Sequence, residues 1–319
     1  MAILPPDPVY LMRGDMGPVH SLMFRVSPYI EHLYAGTESG RVHIWDLMKN
    51  REIFKLNTSN EPCLAMHNMA DECFITQRKG GAINFWQARS SSWVINKTVD
   101  TDYCGFCRCQ VSTESELLIP LNDSRIGLFS LKTLRTEIEL NPAHCLPDMK
   151  SLGQVMAIKP FVNESQYVLV AYDGGQMSLW DLRSKKILSS LEVEQCPMSV
   201  DYNSTLVHGI VGSPCDNLEV FSLSRDNELF EKTRLPLKNP GTSAIAIRPD
   251  VKVFAAGGWD GRIRIYSWKT LRPLVVLDQH KATIHDIIFS TCKVEAYNSK
   301  CLMAAAGKDG NISLWDLYN

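Results

Sequence analysis

The sequence predicts an all-β fold, a seven-bladed β-propeller closed by an N-terminal strand. Three observations predict it. One phrase recurs seven times down the chain. Its aromatic anchors follow one another by 41, 43, 51, 41, 45 and 49 residues, close to the spacing of about 40–45 that four strands and their turns require. Each copy is also accompanied by further strand-length apolar runs, enough for four strands per repeat.

The copies read SGRVHIWDL (39–47), GGAINFWQA (80–88), DSRIGLFSL (123–131), GGQMSLWDL (174–182), CDNLEVFSL (215–223), DGRIRIYSW (260–268) and DGNISLWDL (309–317). Their anchors are Trp45, Trp86, Phe129, Trp180, Phe221, Tyr266 and Trp315. A turn rich in Gly, Asp, Asn or Ser opens each copy, and apolar residues then alternate with polar ones, as strands do. Before each turn lies a second-strand run, such as HLYAGT (32–37), YVLVAY (167–172) and CLMAAAG (301–307). Upstream of that lies a first strand, such as VHSLMF (19–24), CGFCRCQV (104–111), SAIAIRP (243–249) and IHDIIF (284–289). A fourth follows the anchor, such as REIFKL (51–56), TEIEL (136–140), KILSSL (186–191) and PLVVL (273–277). Pro18, Pro62 and Pro197 precede first strands and Pro249 ends one, where the missing N–H costs no ladder bond. The stretches 89–102 and 141–154 are the least regular and are expected as enlarged loops.

The two ends predict closure. Only Asp316 to Asn319 follow the last anchor, so the seventh copy lacks a fourth strand, while Val9 to Arg13 are spare before the first. The expectation is that 9–13 completes the last blade and removes an open edge, and that 1–319 forms one propeller.

Composition excludes several classes of function. Lys and Arg number 33 against 35 Asp and Glu, a net charge of -2, which leaves no large basic field for nucleic acid. Apolar residues are 45% and charged residues 21%, the balance of a folded globular chain. The longest apolar runs, such as 168–172, are strand-length and far short of a bilayer span. The opening MAILPPDPVYLMRGD has neither the basic start nor the apolar core of a secretory signal. The expectation is a monomer of the cytoplasm and/or nucleus, with no nucleic acid or membrane partner. The ten cysteines follow no framework spacing and are expected to be reduced.

The Trp-Asp pairs at 45–46, 180–181 and 315–316 resemble WD repeats over essentially the whole chain. The opening PPDPVYLMRG with PVHSLMF, the segment GRVHIWDL, and above all NPGTSAIAIRPD (239–250), GGWDGRIRIYSWKTLRPLVVL (257–277) and KDGNISLWDLY (308–318) resemble one family, the guanine nucleotide-binding protein subunit beta-like protein 1 family, which is related to the ASTRA-associated WD-repeat proteins of fungi. The closing third matches best and 89–155 least. The resemblance implies a non-catalytic adaptor. Its relatives are linked to the triple-T co-chaperone assembly that matures phosphatidylinositol-3-kinase-related kinases, and to chromatin-associated complexes. It implies no G-protein γ subunit, because that partner needs a long N-terminal helix, and Pro5, Pro6, Pro8 and Pro18 forbid one here. WD repeats also carry a buried His, Ser/Thr, Asp and Trp network. The last blade keeps His280, Asp309 and Trp315 but has Gly307 where the hydroxyl belongs; the first keeps Thr37 and Trp45 but has Ser39 at the acidic position. Stability is therefore expected to rest on packed apolar strands.

Four patterns invite chemistry. Cys104, Cys107 and Cys109 suggest zinc, but a structural site needs four ligands from separated pairs, and His144 with Cys145 is the only convenient second pair. Read as a strand, 104–111 puts Cys107, Cys109 and Val111 on one face and Cys104 off it, so no metal is expected. Arg78-Lys79-Gly80-Gly81 is too short for a phosphate loop and precedes no helix, and no catalytic constellation or cofactor site is present. Trp180-Asp181-Leu182-Arg183 resembles the WDxR box of cullin-4 ligase substrate receptors, which makes Arg183 a candidate contact; the repeat by itself also accounts for Trp-Asp there. Trp259, in Gly257-Gly258-Trp259-Asp260-Gly261, sits in a rim turn with Arg262 and Arg264 following on one alternation. It is either an interface anchor, with Asp260, Arg262 and Arg264 beside it, or packing over the neighbouring blade. The leading expectation is a rigid adaptor for the co-chaperone assembly and its large kinases; the alternative is a cullin-4 substrate receptor.

Overall fold

A computed structural model describes residues 5–70, 72–90, 92–101, 103–145, 152–161 and 164–318. They form seven sheets of four strands each, the fold of a seven-bladed β-propeller. The chain makes two compact units. One comprises residues 1–78, 84–97 and 243–319 and carries the sheets of the first, second, sixth and seventh copies. The other comprises residues 79–83 and 98–242 and carries the third, fourth and fifth.

The sheet of the first copy shows the rule. Val19–Ser27, Ile30–Thr37, Arg41–Asp46 and Arg51–Asn57 lie side by side in chain order, each paired with the next by an antiparallel ladder. The third strands are covered on both faces: every residue of Ile126–Ser130 is buried, as are Gln176 to Trp180 and Ile312 to Trp315. The fourth strands alternate between half-buried and exposed, as in Lys186–Glu192, because only one face meets apolar neighbours.

A bulge recurs at the aromatic anchor. The ladder between third and fourth strands shifts register immediately before Trp45, Phe129, Trp180, Phe221 and Tyr266. In each case the fourth strand carries the extra residue: Ile53, Glu137, Leu188, Lys232 and Leu274. A bulge sharpens the local right-handed twist. It also leaves its extra residue outside the ladder; Leu188 and Leu274 are exposed there, whereas Ile53 packs against the core.

In the seventh sheet the outer position is filled from the other end of the chain. Tyr10–Met12 pairs antiparallel with Ile312–Asp316, in the register Tyr10 to Leu314, Leu11 to Ser313 and Met12 to Ile312. Met12 is fully buried in a cluster with Val19, Leu33, Trp45, Leu302 and Leu314. Full burial of one such side chain stabilises by about 1.5–3 kcal/mol. An insertion between Ile284–Phe289 and Leu302–Gly307 adds to the clasp and lengthens the last repeat. Its short helix Glu295–Tyr297 donates the backbone N–H groups of Glu295 and Ala296 to the Glu31 carboxylate at 2.5 and 2.9 Å. Tyr297 donates its hydroxyl to the Asn50 side chain, and Tyr10 donates to the Asn50 carbonyl at 3.1 Å.

Two sequence expectations are corrected. The stretch 89–102 is not an enlarged loop; it contains Ser92–Val99, the fourth strand of the second sheet. Most of its side chains are exposed, so the apolar alternation that marks a strand is missing; Trp93 is anchored edge-on to Phe74 at 4.8 Å between ring centroids. The first strand of the third sheet is Gln110–Thr113, not 104–111. Of the expected loop 141–154, Pro142–His144 form a single helical turn capped by Asn141, and residues 146–151 lie outside the described residues.

Candidate partner-binding site

The turn that presents Trp259 joins Val253–Gly258 to Ile263–Ser267 in the first unit. Backbone bonds close it: Gly258 N–H donates to the Arg262 carbonyl at 2.9 Å and Gly261 N–H to the Gly258 carbonyl at 3.3 Å. Gly261 has a φ of +75°, which only glycine adopts without strain. A Cβ at Gly258 would overlap the Asp260 carboxylate, so glycine is what lets that carboxylate fold back over the turn.

Asp260 is the organising group. It accepts the Arg262 backbone N–H at 3.1 Å, and its two oxygens accept both terminal nitrogens of Arg264 at 3.2 and 2.7 Å. This bidentate pair is well covered, with side chains 17% and 8% exposed. Such a fork fixes both groups in one geometry. Arg264 is thereby removed from the surface: expected beside Arg262 as a contact, it is buried and holds the turn. Alternation along Ile263–Ser267 does not separate inside from outside, because Ile263 to Tyr266 are all buried. Arg262 is half-buried and Trp259 is 43% exposed. Thr283 donates its hydroxyl to the Trp259 carbonyl at 3.3 Å, tying the backbone of the turn to the next loop.

That next loop is held by a network the sequence left incomplete. Trp315 Nε1 donates to Ser313 Oγ at 2.8 Å, and Ser313 Oγ lies 2.8 Å from His280 Nε2. His280 Nδ1 lies 3.1 Å from both oxygens of Asp309. With the proton on Nδ1, every donor has an acceptor: Trp315 to Ser313, Ser313 to His280, His280 to Asp309. The hydroxyl missing at Gly307 is thus supplied by Ser313, one strand over. Glycine is required at 307, since a Cβ would overlap the Thr283 carbonyl. Burial disfavours the Asp309 carboxylate, yet the bond from His280 and the N–H groups of Lys281 and Asn311 hold its pKa well below the usual range.

Arg183 belongs to the second unit and is exposed. The rest of its segment is engaged internally. Trp180 is fully buried and donates to the Tyr172 hydroxyl at 3.1 Å; Asp181 accepts the Arg183 N–H at 2.9 Å and the Ser184 hydroxyl at 2.8 Å. Trp-Asp here builds the blade and its turn. In the cysteine segment Cys104 is exposed, while Cys107 and Cys109 are buried, the division expected of them, although they precede the strand Gln110–Thr113. Burial and the neighbouring Cys109 raise the Cys107 thiol far above its ordinary pKa, which disfavours the thiolate that binds metal. Among the described residues no group of three His, Cys, Asp or Glu side chains is placed to hold a metal ion.

Residues 238–267, the sheet that carries Trp259, match the family model described as WD domain, G-beta repeat. The guanine nucleotide-binding protein subunit beta-like protein 1 of Mus musculus is 29% identical over 332 residues, covering 98% of this chain and 97% of the relative. The ASTRA-associated protein 1 of Schizosaccharomyces pombe is 24% identical over 382 residues, covering 98% and 99%. That of Aspergillus flavus is 23% identical over 430 residues, covering 98% of each. Recurrent blades, the buried His280–Asp309–Ser313–Trp315 network and end-to-end similarity converge: this is a WD-repeat β-propeller protein, a homologue of the guanine nucleotide-binding protein subunit beta-like protein 1 and of the fungal ASTRA-associated proteins.

Proposed function

We propose that the chain is a non-catalytic adaptor that works with the triple-T co-chaperone assembly to mature phosphatidylinositol-3-kinase-related kinases, and that Trp259 and Arg262 contact a protein partner. The adaptor reading is carried by the exposed indole of Trp259 on a turn fixed by Asp260 and Arg264. Trp and Arg dominate the residues that hold protein interfaces together. A turn already ordered before binding loses little conformational entropy when a partner docks. The kinase reading is supported by full-length similarity to proteins named as ASTRA-associated and by the family resemblance in the closing third. Its logic is that very large repeat kinases fold through exposed intermediates and depend on helpers. The experiment is affinity purification of the full chain with mass spectrometry. Recovery of co-chaperone subunits with several large kinases supports the proposal; recovery of a cullin-4 adaptor in their place refutes it.

A further inference from the structure

Trp259 shares its surface with two neighbouring loops. Lys308 N–H donates to the Thr283 carbonyl at 2.9 Å, Thr283 donates to the Trp259 carbonyl, and Lys281 N–H donates to Asp309 at 3.1 Å. These bonds lace residues 257–262, 278–283 and 307–311 into one patch within the first unit. Its charges are sorted by depth. Asp260 is held by Arg264, and Asp309 is turned inward onto His280 with its side chain 9% exposed. Arg262, Lys281 and Lys308 enter no ion pair among the described residues; Lys281 and Lys308 are exposed. Asp278 is the one exposed carboxylate in the three segments.

An exposed indole on a patch whose three cations enter no ion pair among the described residues defines the chemistry of what it meets. We infer that this patch receives an extended acidic segment of a partner protein, with an apolar or aromatic side chain on Trp259 and carboxylates on Arg262, Lys281 and Lys308. The inference rests on the proposed role of Trp259 as an interface anchor and adds the chemical class of the occupant. The indole supplies rigid apolar area, and the cations steer the segment and set its register. A single nucleic acid strand has the same charge and can stack on an indole, but it is bound along an extended basic groove. Three cations on a chain of net charge -2 suit a short acidic peptide better.

The test is selection of a random peptide library displayed on phage against the purified full chain, followed by direct binding of the enriched peptides. Enriched sequences should carry several Asp or Glu residues around an apolar one. Their affinity should fall about tenfold or more with Trp259→Ala and with the triple variant Arg262→Glu, Lys281→Glu, Lys308→Glu. It should fall steeply with salt as the Debye length shortens. Lys186→Glu, an exposed cation of the other unit, should change nothing. Matching melting curves of all variants exclude misfolding. Absence of enrichment, enrichment of neutral or basic peptides, binding that survives the variants, or displacement of the peptides by a single-stranded oligonucleotide each overturns the inference. Because the readout uses purified protein and no kinase, its failure is distinct from failure of the kinase reading.

Discussion

Asp260 and Arg264 meet through two hydrogen bonds of 3.2 and 2.7 Å, at the place where the seventh blade sets Asp309 against His280. Both blades open the third strand with an aspartate, and both must hold that carboxylate beneath a glycine turn. The seventh blade reaches it from the preceding loop through His280; the sixth reaches it from its own strand through Arg264. With an in-strand arginine in place of a loop-borne histidine, the Asp260 carboxylate is held from within its own turn and strand, while Thr283 ties the Trp259 backbone to the next loop.

Removing Arg264 should therefore cost stability before it costs binding. Arg264→Ala removes the bidentate partner of the covered Asp260 carboxylate, which keeps the Arg262 N–H, and should cost about 1–3 kcal/mol. Arg262→Ala removes a half-buried cation with no ion pair and should stay within about 0.5 kcal/mol. Denaturant unfolding of the two variants checks this; equal stabilities would mean that Arg264 is not the brace.

Ser313 should behave as the missing hydroxyl of the seventh blade. Ser313→Ala strands Trp315 Nε1 and His280 Nε2 in a buried site, and each unsatisfied group costs about 1–3 kcal/mol. Adding Gly307→Ser to that variant should lower the melting temperature further, because the new Cβ overlaps the Thr283 carbonyl. Rescue by the serine would contradict the assignment of Ser313 to the network.

Acid should loosen the same network. The folded state holds the Asp309 pKa below its unfolded value near 3.8, so its contribution is fully present above that value and is lost as pH falls below it. Melting temperature followed from pH 7 down to pH 2 should fall less steeply in Asp309→Asn than in the parent chain, from a lower starting point. Parallel curves would show that Asp309 is not the titrating group.

The N-terminal strand should be structural. Deleting residues 1–13 removes Tyr10–Met12 from the seventh sheet, opens the edge of Ile312–Asp316 and empties the Met12 site. The truncated chain should aggregate, and Met12→Ala alone should cost about 2–5 kcal/mol. A truncation that stays monodisperse with an unchanged melting temperature would show that the strand adds nothing to the blade.

Most of the fold was legible because one physical unit repeats, so each copy corroborates the others. Trp45, Trp86, Phe129, Trp180, Phe221, Tyr266 and Trp315 mark the third strand of every blade, and turn residues precede each. What escaped was whatever the repeat does not dictate. Ser92–Val99 is exposed along most of its length and carries no alternating signal. The bulges before the anchors leave no trace in composition. Residues 104–109 read as apolar and regular, yet the ordered strand starts at Gln110. At the candidate site, the exposure of Trp259 followed from its turn, whereas the burial of Arg264 did not, because both faces of its strand are covered. The hydroxyl at Ser313 was hidden for a related reason: position in the repeat identifies a strand, not which of two adjacent strands sends a side chain to a shared network.

The adaptor account is tested most directly by acute depletion of the chain in cells, with quantification of several phosphatidylinositol-3-kinase-related kinases beyond their own half-lives. The account predicts that these kinases fall together at the protein level while their messages hold steady, that the wild-type chain restores them, and that Trp259→Ala restores them poorly despite normal abundance. Kinase levels that stay constant after depletion would contradict it.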